Sequence, residues 1–169
     1  MFRKARPYEG SCHIPLIITA GKNVLPVRHG SGRCGSVVEL RDMMPTLLDL
    51  ADAPVPDTVD GKSLLPLLDN PALPVRPWLH GEHSFDEYSN HWIVTETDKY
   101  IWHSHTGQEQ YFNLSRDPHE LTDLIGDDSC NMRIHELRGF LIESLKDRQE
   151  GFVKNGRLVS GRPYPPVLS

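Results

Sequence analysis

Five of the chain's nine histidines, His80, His83, His91, His103 and His105, fall between positions 80 and 105, a density that raises the question of a metal site. Zinc needs three or four nitrogen, sulfur or carboxylate donors facing one point. The surrounding residues read as strands, where positions three apart point to opposite faces, so His80 and His83 share an ion only if Gly81 distorts the backbone. No cysteine and no second ordered histidine pair joins them, and the reading assigns no metal ligand. The three cysteines, Cys12, Cys34 and Cys130, are odd in number and far apart, which argues against both a disulfide framework and a CxxC site. Each reads as a small apolar residue.

The elements that must position these side chains follow from hydrophobic periodicity. Ile14 to Ala20, IPLIITA, is an unbroken apolar run, expected as a strand covered on both faces. Residues 21–35 have no period and read as a loop. Asp42 before MMPTLLDLADA predicts an N-capped helix, closed off by the loop 53–61, and SLLPLL predicts a further turn or two limited by Pro66. Three prolines between Asn70 and Pro77 read as a linker. Four short runs then alternate with period two, WLHGE, HWIVTE, KYIWH and EQYFNL, and Thr97-Asp98 suits a tight turn between the second and third. An antiparallel meander is expected, its Trp92, Tyr100, Trp102 and Phe112 forming core. From Met132 to Gln149, Ile134, Leu137, Leu141 and Leu145 recur at steps of three and four, the signature of an amphipathic helix that covers one face of the meander. The proline-rich end reads as extended.

Composition excludes several classes. With 169 residues, 38% apolar and 24% charged, the chain has the makeup of a folded globular protein. A net charge of −5 gives no blanket of positive potential for nucleic acid. No apolar run approaches the roughly 18 residues needed to span a bilayer, and MFRKARPYEG lacks a signal-peptide core, so no membrane partner is expected and the chain as written reads as cytoplasmic.

The segment KARPYEGS, Lys4 to Ser11, followed at once by CHIPLII, resembles a segment of sulfatases of the alkaline-phosphatase-like superfamily in which a lysine precedes a YEG triplet by four residues. VELRDMMPTLLDLADAPVPDTVDGKSLLPLL, HGEHS, KYIWHSHTGQEQYFNLSRDPHELTDL and GRPYPPV are similar, in order, to bacterial arylsulfatase-like sequences. The resemblance implies an α/β fold: a strand and helix of the main sheet, then a small four-stranded antiparallel sheet packed by a C-terminal helix. Its divisions are expected at 1–70 for the end of the catalytic domain, 71–77 for a linker, 78–150 for the sheet-plus-helix subdomain and 151–169 for an extended tail. It also implies that Lys4 contacts sulfate oxygens, that His83 and His105 face a sulfate-ester substrate, and that the intact parent uses formylglycine and calcium.

Neither cofactor has an attachment point here. Formylglycine arises from cysteine or serine in C/S-x-P-x-R, and none of the three cysteines begins such a motif. Met1 is either an internal methionine of a longer protein or the start of a truncated frame, and the chain alone is expected to be inactive. Two other readings stay open: a phosphate or phosphonate ester hydrolase of the same superfamily, and a non-catalytic domain binding an anion or a protein. Without its upstream half the Ile14–Ala20 run would leave apolar surface in water, so either self-association through this region or poor order of residues 1–35 is expected.

Overall fold

In the computed structural model, which describes residues 6–19, 32–84 and 86–163, the four alternating runs form strands β1 (Leu79–His83), β2 (Asn90–Val94), β3 (Asp98–His103) and β4 (Glu109–Asn113) of one sheet. The strand order is β1-β2-β3-β4, and β2–β3 and β3–β4 are antiparallel. The register places His91 opposite Trp102, Ile93 opposite Tyr100 and Tyr100 opposite Tyr111, so these side chains share one face. Val94, Lys99 and Phe112, with Trp92, Ile101 and Gln110, share the other. Asp98 through Trp102 are all buried, so β3 is covered on both faces.

The first face is covered by the helix Asn131–Leu145, whose Ile134, Leu137, Leu141 and Leu145 are buried as the periodicity predicted. Burying such side chains contributes roughly 1.5 to 3 kcal/mol each. Two arginines fix the helix to the sheet. Arg133 donates to Asp98 Oδ2 from Nε at 3.0 Å and Nη2 at 2.8 Å, and Asp98 also accepts from Tyr111 Oη at 2.6 Å and Thr97 Oγ1 at 2.7 Å. Arg138 pairs with Glu109 and stands 5.8 Å from the Tyr100 ring centre. Beyond the helix, where the sequence reading has only tail, Val153–Lys154 and Arg157–Leu158 pair as a hairpin. Asn155 and Gly156 both have positive φ, 52° and 71°, as a two-residue turn of the primed type requires.

The polypeptide divides into two units, Met1–Ile14 with His80–Ser169, and Pro15–Leu79. In the second unit a 3-10 turn, Leu40–Asp42, runs directly into the helix Met43–Leu50, and a short helix follows at Leu65–Asp69. Asp42 is therefore not the N-cap of Met43–Leu50, its backbone being already helical at φ −76°, ψ −15°; it closes a capping box with Glu39 one turn earlier. Its fully buried carboxylate accepts from both terminal nitrogens of Arg76, at 2.7 and 2.5 Å, and from the backbone N–H of Lys62 and Glu39, each at 2.8 Å. Burial alone would push this carboxyl up, but the Arg76, Lys62 and Glu39 hydrogen bonds outweigh it and hold its pKa below the ordinary value. Gly61 completes the turn because any Cβ there would lie 2.0 Å from the Arg41 carbonyl oxygen.

The apolar run fares differently. Residues 14–19 are neither helix nor strand, and Ile14, Leu16 and Ile17 are 47%, 40% and 81% exposed; Ala20 lies outside the described residues. An apolar run signals burial, but a strand exists only through a neighbour, and among the described residues none pairs with this one. Cys12, Cys34 and Cys130 are free thiols. No helix of the described residues is long and apolar enough to cross a membrane.

Candidate functional site

The face of the sheet not taken by the long helix is met by the N-terminal segment. Glu9–Cys12 forms a single helical turn in which Tyr8 O accepts from Ser11 N and Cys12 N at 2.8 and 3.0 Å. Just before it, the Tyr8 ring stands edge-on to Phe112, centroids 6.1 Å apart at 79°, and its hydroxyl donates to Gln110 Oε1 at 2.9 Å. Gln110 Oε1 also lies 3.2 Å from His103 Nε2. The Glu9 carboxylate takes the ammonium of Lys99, while the Glu9 N–H donates to Glu120 Oε2. Lys99 Nζ is 3.0 Å from Glu120 Oε1 as well, so one fully buried cation is matched by two carboxylates. A buried ammonium is costly to desolvate, and only partners this close make the position tolerable. Arg6 sits 5.9 Å above the Tyr88 ring.

Lys4 lies outside the described residues, two positions before Arg6 in sequence. His83 ends β1 and is half-buried. Its face follows from Gly81: a Cβ there would come within 2.2 Å of the Trp92 ring, so Gly81 and, two residues on, His83 point to the Trp92 side, the side on which Tyr8 and Glu9 are pinned. His105 is exposed in the turn between β3 and β4, and β2 lies between the strand that ends in His83 and the strand that leads to His105. Composition and motif could single out Tyr8 and Glu9 as part of YEG, but not their anchors Lys99, Gln110 and Glu120, which no spacing rule connects to them.

The opposite face of β1 gathers a second group. His80 Nε2 is 3.1 Å from His91 Nδ1, and Glu82 Oε2 is 3.5 Å from the same nitrogen. The two rings are 5.3 Å apart at 16°. His91 is buried against Trp102 and Phe152. Burial above all, then the neighbouring His80 and Arg148, lowers its pKa to about 3, which keeps the imidazole neutral. His80 thus meets not His83, the partner weighed on sequence spacing, but a histidine one strand away.

Comparison with known proteins places this arrangement. Residues 1–148 match the family described as N-sulphoglucosamine sulphohydrolase, C-terminal. The chain is 47% identical over 162 residues to an arylsulfatase of Clostridium perfringens (strain 13 / Type A), covering 96% of this chain and 34% of that protein. It is 34% identical over 134 residues to arylsulfatase K of Homo sapiens, covering 73% and 24%. A protein solved with its substrate D-glucosamine-2-N,6-O-disulfate superposes with a TM-score of 0.56 at 26% identity, over 62% of this chain and 23% of that one. A 2-O GAG sulfatase superposes at 0.57 with 24% identity, over 74% and 30%. The chain spans about a third or less of the length of these relatives. It belongs to the N-sulphoglucosamine sulphohydrolase C-terminal family, the C-terminal part of sulfatases with the alkaline-phosphatase-like fold.

Proposed function

We propose that this chain is the C-terminal portion of an enzyme that hydrolyses sulfate esters, contributing Lys4 and one wall of the substrate pocket. The observation that carries the reading is the identity to the clostridial arylsulfatase over nearly the whole chain. Sulfate-ester cleavage builds negative charge on the sulfuryl oxygens and the departing oxygen, and an ammonium held in a water-poor site stabilises that charge most in the transition state. Such an ammonium must be held in place. The anchoring of Tyr8 and Glu9 to Gln110, Lys99 and Glu120 supports a segment positioned from below, with Lys4 four residues before Tyr8. His83, on the same face of the sheet, and His105 in the adjoining turn are the side chains proposed to hydrogen-bond the group carrying the sulfate.

Formylglycine and calcium do not fit the residues of this chain. No cysteine or serine begins C/S-x-P-x-R. Calcium takes six to eight oxygen ligands, whereas the described cluster of possible ligands, His80, Glu82 and His91, is mainly nitrogen. Both groups are proposed to belong to the remainder of the parent enzyme, and no step is derived through them. We infer as well that the exposed side chains of Ile14, Leu16 and Ile17 make the isolated chain self-associate.

A chimaera tests the function. The C-terminal third of the clostridial arylsulfatase is replaced by this chain and assayed with a chromogenic aryl sulfate and with sulfated amino sugars. Activity that depends on Lys4 is expected. A folded chimaera whose turnover is the same with Lys4→Ala would overturn the role of Lys4, and one that cleaves phosphonate but not sulfate esters would overturn the substrate class.

A further inference from the structure

We propose that His80, Glu82 and His91 form a binding site for a divalent first-row transition ion, Zn(II) foremost, on the face of the sheet opposite the N-terminal segment. One ligand atom from each residue lies within 4.8 Å of the other two. Tetrahedral zinc with bonds near 2.0 to 2.1 Å sets its donors about 3.3 Å apart. The measured separations, 3.1 Å from His80 Nε2 to His91 Nδ1 and 3.5 Å from His91 Nδ1 to Glu82 Oε2, bracket that value. These two separations already match the ion's, and the third, His80 to Glu82, lies within 4.8 Å and so closes by at most about 1.5 Å.

The backbone explains why the three converge. His80 and Glu82 are two apart on β1 and so share a face, and Gly81 between them lets the strand lie flush against the Trp92 ring on the other side. His91, in the adjoining β2, has its ring held by Trp102 at 5.7 Å and edge-on by Phe152 at 5.0 Å. To ligate through the named nitrogens, the ring that donates in the His80–His91 hydrogen bond shifts its proton to its own other nitrogen, so both imidazoles stay neutral and no proton is released.

The surroundings favour a cation and leave it a route in. Arg148 Nη1 lies 3.0 Å from Glu82 Oε2, but the same guanidinium is held by both oxygens of Glu150, at 2.7 and 3.2 Å. Two carboxylates against one guanidinium leave one negative charge beside the two imidazoles. Arg148 then acts as the outer group that orients Glu82, ligating carboxylates being themselves hydrogen-bonded from behind. Glu82 is 36% exposed and opens the site to solvent, so a water or a small anion completes the fourth position. Two imidazoles and one carboxylate match the donor preference of zinc and its neighbours rather than of calcium or magnesium.

The test uses the full chain, stripped with a chelator and dialysed. Calorimetric titration with Zn(II) is expected to give one ion per chain, and Co(II) to give the visible absorption of a tetrahedral nitrogen and oxygen site. His80→Ala and the surface change Glu82→Gln are each expected to weaken binding by a factor on the order of 10 to 100 or more. They should also remove the zinc-dependent rise in melting temperature, whereas the exposed His135→Ala keeps both. Absence of uptake, or uptake unchanged by Glu82→Gln and His80→Ala in folded chains, would show that His80 and His91 are only a hydrogen-bonded pair and overturn the proposal.

Discussion

Lys99 reaches Glu9 across ninety positions of sequence, and with Glu120 the pair makes one ionic knot beneath the YEG segment. Removing the lysine alone leaves carboxylates facing each other with their counter-ion gone. Lys99→Met is expected to cost about 3 to 5 kcal/mol in urea unfolding. The triple change with Glu9→Gln and Glu120→Gln is expected to recover part of it. A single variant as stable as the parent chain would show the knot contributes nothing.

Asp98 should make the sheet-and-helix unit acid-sensitive. Burial raises its pKa, but hydrogen bonds from Tyr111, Thr97 and Arg133 outweigh that and depress it below 3.8. A carboxyl whose folded pKa is depressed stabilises the fold above its unfolded pKa and loses that contribution as pH falls through the folded value. Stability measured by urea between about pH 5 and about pH 2 should therefore fall on acidification, and Asp98→Asn should be less stable at pH 5 with a shallower fall. Equal slopes for the two chains would count against this account.

Arg76→Ala removes the guanidinium that sits on the buried Asp42 carboxylate. A loss of about 3 to 5 kcal/mol is expected, because the remaining backbone donors do not neutralise the charge. Arg76→Ala with Asp42→Asn should be milder, which a double-mutant cycle reads directly.

Gly81→Ala puts a methyl group within 2.2 Å of the Trp92 ring. The overpacking is expected to cost about 1 to 3 kcal/mol, and Trp92→Leu in the same chain should relieve some of it. A melting temperature unchanged by Gly81→Ala would mean β1 can move away from β2 freely.

In the chimaera with the clostridial enzyme, Lys4→Ala is expected to lower kcat by a factor on the order of 100 or more with little change in melting temperature, the mark of a charge used at the transition state.

The local elements were legible and the long-range chemistry was not. Period two announced β1 to β4, and the steps of three and four announced Ile134, Leu137, Leu141 and Leu145, because side-chain direction along one element is set by its own geometry. The hairpin at Asn155-Gly156 read from the sequence only as tail, because its two flanking strands, two residues each, are too short to show periodicity. Asp42 looked like a helix cap because its true partner, Arg76, is 34 residues away. His80 and His91 could be paired only with the register of β1 on β2 in hand, and a slip of one residue would turn either to the other face.

The two covers of the sheet differ in how far along the chain they come from. The helix Asn131–Leu145 follows the last strand closely, whereas the turn at Glu9–Cys12 meets residues 102 and 111 positions away through Tyr8 and Glu9. Closing so long a loop costs entropy that nearby contacts do not, so contact order makes the sheet and its helix assemble first and the N-terminal segment dock last. Pulse-labelled amide exchange during refolding should protect Trp92 to Trp102 before Ser11 to His13, and the reverse order would refute the sequence of events. Whatever that segment contributes to chemistry is then missing from every partly folded form.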